Sequence, residues 1–259
     1  MPMDPFNEAS IPERTVFCVG IYGSASTWVY NVCRQLMIAS NPGDRVATLY
    51  ADTPFSQPHP DLWTGPPIHN DHWDAAVIKM HEGSPEAFAA IQSGAVTCII
   101  SVRDPRDAVV SVMQRFKWNF DVAFDHVSNS LRFVDSILQA ESSLVLRYED
   151  LYMCEPQSIV RIAAHLHIDV GEREVMEIFS RLSPVSIDSI TRHYTTNDEA
   201  ISVDTAGRLY DKTTHWHQQH HGDGSVGKWH KYLHRRERKL IREACWKEMT
   251  RLGYASLGW

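Results

Sequence analysis

The stretch Val16-Phe-Cys-Val-Gly-Ile-Tyr-Gly-Ser-Ala-Ser-Thr27 decides the fold. An apolar run breaks there into small and hydroxylated residues just before a helical pattern, which predicts a strand, a tight turn and a helix start. Small side chains let the backbone approach a ligand closely. The N–H groups at the helix start and the hydroxyls of Ser24, Ser26 and Thr27 then converge on one point, and such a point suits a phosphate. The turn lacks the Gly-Lys-Ser/Thr ending of the nucleotide-triphosphate loop, and it lacks the Gly-x-Gly-x-x-Gly spacing of the dinucleotide fingerprint. Strand-to-helix turns of Gly and Ser also arise for steric reasons alone, so both readings stand on this segment taken by itself.

A second segment, Val96-Thr-Cys-Ile-Ile-Ser-Val-Arg-Asp-Pro-Arg-Asp-Ala-Val-Val-Ser111, repeats the pattern. Its β-branched run to Val102 predicts a buried strand, and Pro105 suits a first helical turn. Arg103 therefore emerges at the carboxyl edge of a strand, where open α/β sheets bind ligands and where a guanidinium fork matches phosphate oxygens. The competing assignment is a helix-start ion pair, Arg103 with Asp107 or Arg106 with Asp104. Ser111 falls about two turns into the helix, where a small packing residue is the plain alternative.

On these residues the chain resembles the sulfotransferases that use 3′-phosphoadenosine 5′-phosphosulfate (PAPS). Their nucleotide motifs are a strand followed by Pro-Lys-Ser-Gly-Thr-Thr-Trp and a later strand ending in Arg-x-Pro-x-Asp before a helical Ser. Here Tyr22-Gly-Ser-Ala-Ser-Thr-Trp28 stands at the first, and Arg103-Asp-Pro-Arg-Asp107 with Ser111 at the second. Val77-Ile-Lys-Met-His81 is similar to the strand-borne Lys-Thr-His of the family, Leu144-Val-Leu-Arg-Tyr-Glu-Asp-Leu151 to its Tyr-Glu-Asp strand, and Gly224-Ser-Val-Gly-Lys-Trp229 to its late Gly-x-x-Gly-Asp-Trp loop. The matches run in family order from Val16 to Trp229.

The resemblance implies PAPS as donor and 3′-phosphoadenosine 5′-phosphate (PAP) as product. It places Gly23, Ser24, Ala25, Ser26 and Thr27 on the phosphosulfate, Trp28 against adenine with Tyr148 at its edge, and Arg103 and Ser111 on the 3′-phosphate. Gly224, Gly227 and Lys228 come from the late loop. It implies His81 as general base toward an acceptor hydroxyl or amine, with a small molecule or a carbohydrate as acceptor, and it implies no metal.

The departures are specific. Gly23 stands where the family has its loop lysine, Met80 replaces the threonine before His81, and Lys228 replaces the loop aspartate. Gly222-Asp223 occupies the place of the basic pair before the late loop. Lys79 is the leading substitute for the missing charge, because alternation along a strand puts it on the face of His81. Lys228 and His221 come next. A noncatalytic or regulatory protein that binds the same nucleotide is the alternative function, motivated by Gly23. A kinase is disfavoured by the missing loop lysine and the lack of a magnesium-binding pair.

Composition fits one α/β domain over residues 1–259, with residues 1–13 as a flexible lead-in. Hydrophobic residues make up 43% of the 259, enough for a substantial core. No apolar run reaches the ~20 residues of a membrane helix. The amino terminus lacks the regions of a signal peptide, and five cysteines without a Cys-x-x-Cys pair read as reduced, so the expected location is cytoplasmic. The net charge of −7 argues against general nucleic-acid binding. His215, His217, His220 and His221 cluster around Trp216, with a solvated or substrate-facing loop favoured over a zinc site.

Strands alternating with helical patterns predict a three-layer α/β fold with a mostly parallel central sheet flanked by helices. Strands are expected near Thr15–Gly20, Arg45–Ala51, Ala75–Met80, Val96–Val102 and Leu144–Arg147. Helices are expected near Ser26–Ser40, Pro85–Ser93, Pro105–Phe116, Val122–Ala140, Pro156–Leu166, Glu172–Leu182 and Arg235–Leu252. Asp52–Asp74 and Ser183–Val226 show no sustained period and are expected to be binding loops or lids.

Overall fold

The structure, a computed structural model, describes residues 12–51, 73–141, 143–204, 207–218, 222 and 224–255. Five strands, β1 (Arg14–Gly20), β2 (Val46–Tyr50), β3 (Ala75–Met80), β4 (Thr97–Val102) and β5 (Ser143–Arg147), form one sheet in the order β2-β3-β1-β4-β5. Every neighbouring pair is parallel, with Val16 opposite Val77 on one side and Thr97 on the other. Central parallel strands are covered on both faces, which explains why Val16 to Val19 run apolar without alternation and are all buried.

The alternate side chains feed two cores. Phe17, Val19, Ile78, Met80, Ile100 and Val102 pack under α3 (Pro105–Phe116), α4 (Phe120–Ile137) and α9 (Arg235–Arg251). Val16, Cys18, Val77 and Ile99 pack against α1 (Ser26–Ser40), α5 (Pro156–His165) and α6 (Glu172–Arg181). α1 therefore leaves β1 toward one face while α3 leaves the adjacent β4 toward the other. The carboxyl ends of β1 and β4 flank the crevice this divergence opens, the usual ligand site of such sheets.

Most expected elements fall within two residues of their observed bounds; α4 starts earlier because Asn119 accepts from Val122 N and caps it. The segment Ser183–Val226 is a correction. It holds α7 (Pro184–Thr191) and an antiparallel hairpin of β6 (Ile201–Val203) and β7 (Leu209–Asp211). Ser183 caps α7 ahead of Pro184, a start signal masked by the polar composition around it. The hairpin strands are three residues each, too short to show a period. A short helix, α8 (Trp229–Tyr232), follows the late glycine loop, and α2 (Pro85–Gln92) follows β3. Residues 52–72 of the other expected loop, and residues 1–11 of the expected lead-in, lie outside the described residues. Among the described residues no helix is long and apolar enough to cross a membrane.

One carboxylate ties the late loop to the sheet. Asp107, fully buried in the first turn of α3, accepts from Gly227 N at 2.6 Å and Trp229 N at 2.9 Å. Its neighbours are fastened alongside. Asp104 caps α3 and takes Arg106 Nε and Nη2 at 2.9 and 2.6 Å, while the Arg106 guanidinium lies 4.0 Å from the Trp229 ring. Asp107→Ala strands one buried and one part-buried N–H donor, so it should cost about 2 kcal/mol of unfolding free energy. Urea denaturation measures this directly, and a loss below about 1 kcal/mol would show that the loop is held elsewhere.

Candidate active site

Each parallel strand delivers a side chain or turn to the same edge. β1 delivers the Gly20–Thr27 turn, β2 Tyr50, β3 Lys79 and His81, β4 Arg103, and the end of β5 Tyr148. Gly23 and Ala25 both take left-handed backbone angles, φ 76° and 63°. The left-handed region costs an L-residue such as Ala25 about 1 kcal/mol or more. Ser24 locks the turn: its Oγ donates to Ile21 O at 2.6 Å and lies 2.9 Å from Ser101 Oγ, and Tyr152 OH donates to its carbonyl. α1 starts at Ala25 with no side-chain cap, so the first amides of the helix, at Ser26 and Thr27, remain open to a ligand. Trp28 is 4% exposed and sits in the core 5.7 Å from Tyr152, with its Nε1 buried and unpartnered.

A side chain at position 23 would be tight and on a strained backbone. A Cβ built there lies 3.2 Å from Ser111 Cβ and 3.4 Å from Ala108 O, on a backbone that already disfavours L-residues. Gly23 is thus pressed against the face of α3 that carries Ser111, and Lys79 lies elsewhere.

His81 and Lys79 are both 5% exposed and meet directly. His81 Nδ1 lies 2.6 Å from Gly20 O and can only donate to it, which assigns the proton to Nδ1 and leaves the lone pair on Nε2. Lys79 Nζ donates to that lone pair at 3.0 Å. Burial first, and then the Lys79 charge, hold the His81 pKa well below the ordinary histidine range. Tyr22 stacks on the imidazole at 3.8 Å, and Lys79 Nζ stands 4.3 Å from the Tyr50 ring centre. The pair is a neutral base carrying an adjacent cation.

Arg103 is 2% exposed and anchors the other side. Its Nη1 donates to Gly23 O and its Nη2 to Ser225 O, both at 2.9 Å, Asp107 lies 4.0 Å away, and the guanidinium lies 3.8 Å from the Tyr148 ring centre. Its Nε is buried without a partner. The late loop closes over it, with Gly224 at the exposed start and Gly227 on Asp107. Lys228 is buried and donates to Gln114 Oε1 at 3.3 Å, on the helix of Ser111. His220, His221 and Asp223 lie outside the described residues.

Several contacts around the candidate site were not anticipated from the sequence, which named His215 and His217 only as part of a solvated or substrate-facing loop. Glu149 accepts from Asp104 N at 2.8 Å and from Tyr254 OH at 2.7 Å, which fixes the chain after β4. Arg115 lies on α3 one turn beyond Ser111, a spacing that could have been used to find it. The hairpin brings His215 and His217 inward: His215 is centred 5.2 Å from Tyr50, and His217 Nδ1 lies 3.0 Å from Asp204 Oδ2. Tyr30 OH and Asn31 Nδ2 hold the hairpin by the carbonyls of Thr213 and Thr214, at 2.8 and 2.7 Å. Nothing in a local pattern announces such contacts across more than 180 residues.

Burial pushes His215 down to about 3, helped by the Lys79 charge, and His217 to about 4. Both are neutral when folded and charge on unfolding below about pH 6.5, so unfolding takes up protons and stability falls as pH drops from there toward 4. Each histidine contributes at most about 1.4 kcal/mol per pH unit in that window. His215→Phe should flatten the acid slope of the urea midpoint between pH 6.5 and 4; an unchanged slope would mean that His215 is solvated.

Comparison with known proteins places this geometry in a family. The sulfotransferase domain family matches residues 14–253. No curated protein matches the sequence. Among solved structures, a mouse sulfotransferase complexed with PAP is 17% identical, covers 95% of this chain and 88% of its own, and has a TM-score of 0.62. Retinol dehydratase in a complex with retinol and PAP is 15% identical over 99% of this chain and 86% of its own, at 0.60. The same enzyme with androsterone and PAP gives 16%, 100%, 84% and 0.57. These likenesses show a shared fold, and the family match spans nearly the whole sequence. The chain belongs to the sulfotransferase family, enzymes of sulfuryl transfer.

Proposed function

We propose that the chain transfers the sulfuryl group of PAPS to a hydroxyl or amine of a small-molecule or carbohydrate acceptor, with His81 as general base and PAP as product. The observation that carries this reading is the fixed tautomer of His81, whose Nδ1–H is spent on Gly20 O so that the basic Nε2 faces the site beside Lys79. The residues present fit an anionic nucleotide. α1 offers uncapped amides at Ser26 and Thr27, Arg103 holds an unpartnered Nε, and Trp28 holds an unpartnered Nε1. Arg103 with Ser111 would take the 3′-phosphate, which distinguishes this donor from ATP. Trp28 would stack against adenine and Tyr148 would hydrogen-bond its edge, both from buried positions beside the turn and Arg103.

His81 Nε2 accepts the acceptor proton as the acceptor oxygen or nitrogen bonds to sulfur and the bond from sulfur to the bridging phosphate oxygen breaks. The electron pair leaves with the 5′-phosphate of PAP. The amides of the α1 start and Lys79 stabilise that charge, and Lys79 must leave Nε2 to do so, which frees the base at the same moment. A protein that only binds the nucleotide would have no use for a lone pair held in this way. The acceptor side is walled by Tyr22, Tyr50 and His126, whose ring lies 5.5 Å from Tyr22. A cytoplasmic location accords with five free cysteines, four of them buried.

Two measurements test the reading. PAP should raise the melting temperature well above AMP or ATP, and Arg103→Ala should remove that preference; equal shifts for all three nucleotides would exclude the donor. His81→Ala should lower kcat by roughly a thousandfold with PAP affinity nearly kept, and Lys79→Met by about a hundredfold. A His81→Ala protein that turns over normally would remove the base from the mechanism.

A further inference from the structure

We propose that His215 is a specificity residue on the acceptor side of the site, where its Nε2 hydrogen-bonds a second hydroxyl of the acceptor, across Tyr50 from the group that His81 deprotonates. The proposal rests on the sulfuryl-transfer reading and gives the acceptor a chemistry: a small molecule with an apolar body and two polar ends.

The turn that follows β7 holds His215 in place through the residues on either side of it. Asp211 Oδ1 accepts from Thr213 N at 2.8 Å, Thr214 N at 2.6 Å and Thr214 Oγ1 at 3.0 Å, and His215 N donates to Asp211 O at 2.8 Å. Trp216, the next residue, is buried in the core that contains Trp28 and Val29. Tyr30 and Asn31 fasten the same turn to α1 by the carbonyls of Thr213 and Thr214. Within this frame His215 takes a left-handed backbone, φ 56°. Such an angle at a residue other than glycine persists only where the surroundings enforce it, and these positions gather at ligand sites.

The frame sets the imidazole between two tyrosines. Its ring is centred 5.3 Å from Tyr30 and 5.2 Å from Tyr50, while the Tyr50 ring lies 6.1 Å from His81 and has Lys79 Nζ 4.3 Å from its centre. One aromatic ring therefore stands between the base and His215, and it offers an apolar surface along which an acceptor can lie. Among the described residues His215 Nε2 is buried without a hydrogen-bond partner. A buried polar atom left alone is costly, and a ligand group that reaches it returns that cost. Burial keeps this imidazole uncharged, which suits it to a neutral group. Nε2 of a neutral imidazole carries either the N–H or the lone pair, and a hydroxyl, which both donates and accepts, satisfies either tautomer. His217, two residues further on, is by contrast engaged with Asp204 Oδ2 at 3.0 Å.

A series of para-(ω-hydroxyalkyl)phenols, each set against the para-alkylphenol of the same length, tests the contact in the full chain with PAPS. At one chain length the hydroxylated phenol should lead by about tenfold or more in kcat/KM. The lead should lie in KM, because a bond to the remote end of the acceptor is made in the ground state as well as in the transition state. His215→Phe should bring the ratio of the two phenols to about one, and His215→Asn, which tolerates the left-handed backbone and keeps a polar end, should hold part of it. Calorimetry of the same phenols on the PAP-saturated chain reads binding without turnover and should show the same lead in Kd, lost in His215→Phe. Equal response to both phenols at every length in the wild-type chain overturns the proposal. So does an undiminished lead in His215→Phe with both phenols weakened alike, the result of a role in packing alone. A His215-dependent lead in binding to a PAP-loaded chain that transfers nothing from PAPS would instead overturn the sulfuryl-transfer reading and leave the His215 contact standing.

Discussion

The parallel register of β1 between β3 and β4 is the constraint on which the site depends. It sets Met80 opposite Val19, so the next residue of β3, His81, comes level with Gly20 and finds its carbonyl. On the other side it sets Ser101 opposite Gly20, where the Ser101 hydroxyl meets Ser24 and the Ser101 carbonyl takes the Ile21 amide at 3.0 Å. A slip of one residue would turn Lys79 and the core side chains to the opposite faces. The base, its tautomer and the turn beside it are therefore consequences of strand pairing rather than of a flexible loop.

Around that edge the structure concentrates buried cations, each held by a different device. Arg106 is neutralised by Asp104 and stacked on Trp229, so it serves packing. Arg103 is oriented by two carbonyls and a tyrosine ring at short range, with the Asp107 carboxylate, already spent on two loop amides, at 4.0 Å. Lys79 is held by a neutral imidazole and another ring. The close carboxylate pair at Arg106 fastens the fold, whereas the shortest contacts of Arg103 and Lys79 are to carbonyls, an imidazole and aromatic rings at the strand ends.

The sheet and its edge were legible in the sequence because they are local. An apolar run, a proline at a helix start and an arginine between them suffice to place Arg103, and two-residue alternation suffices to bring Lys79 beside His81. The hairpin was not legible. Its strands are three residues long, and its hold on α1 runs through backbone carbonyls of Thr213 and Thr214, whose side-chain identity hardly matters. Asp107 shows the same limit from the other side. A helix-start aspartate suggests an ion pair with Arg103, and at 4.0 Å that pair exists, yet the shorter bonds go to the amides of a loop 120 residues away. Sequence patterns report which groups carry charge; they report poorly which backbone will claim it.

The turn after β1 links backbone conformation to electrostatics. The family pattern places lysine, serine and glycine where this chain has Gly23, Ser24 and Ala25, so the glycine has moved two positions. Both ends of the triplet take left-handed angles here. With Ser111 against Gly23, a lysine would strain the left-handed backbone and push on Ser111 by a few tenths of an ångström. The close approach of turn and helix therefore disfavours a loop cation at position 23, and the cation found beside the base comes from another element. β3 supplies Lys79, which touches the imidazole, and the face of α3 that closes on Gly23 carries Arg115 one turn further along. The cation that touches the base, Lys79, therefore comes from the strand that carries the base itself.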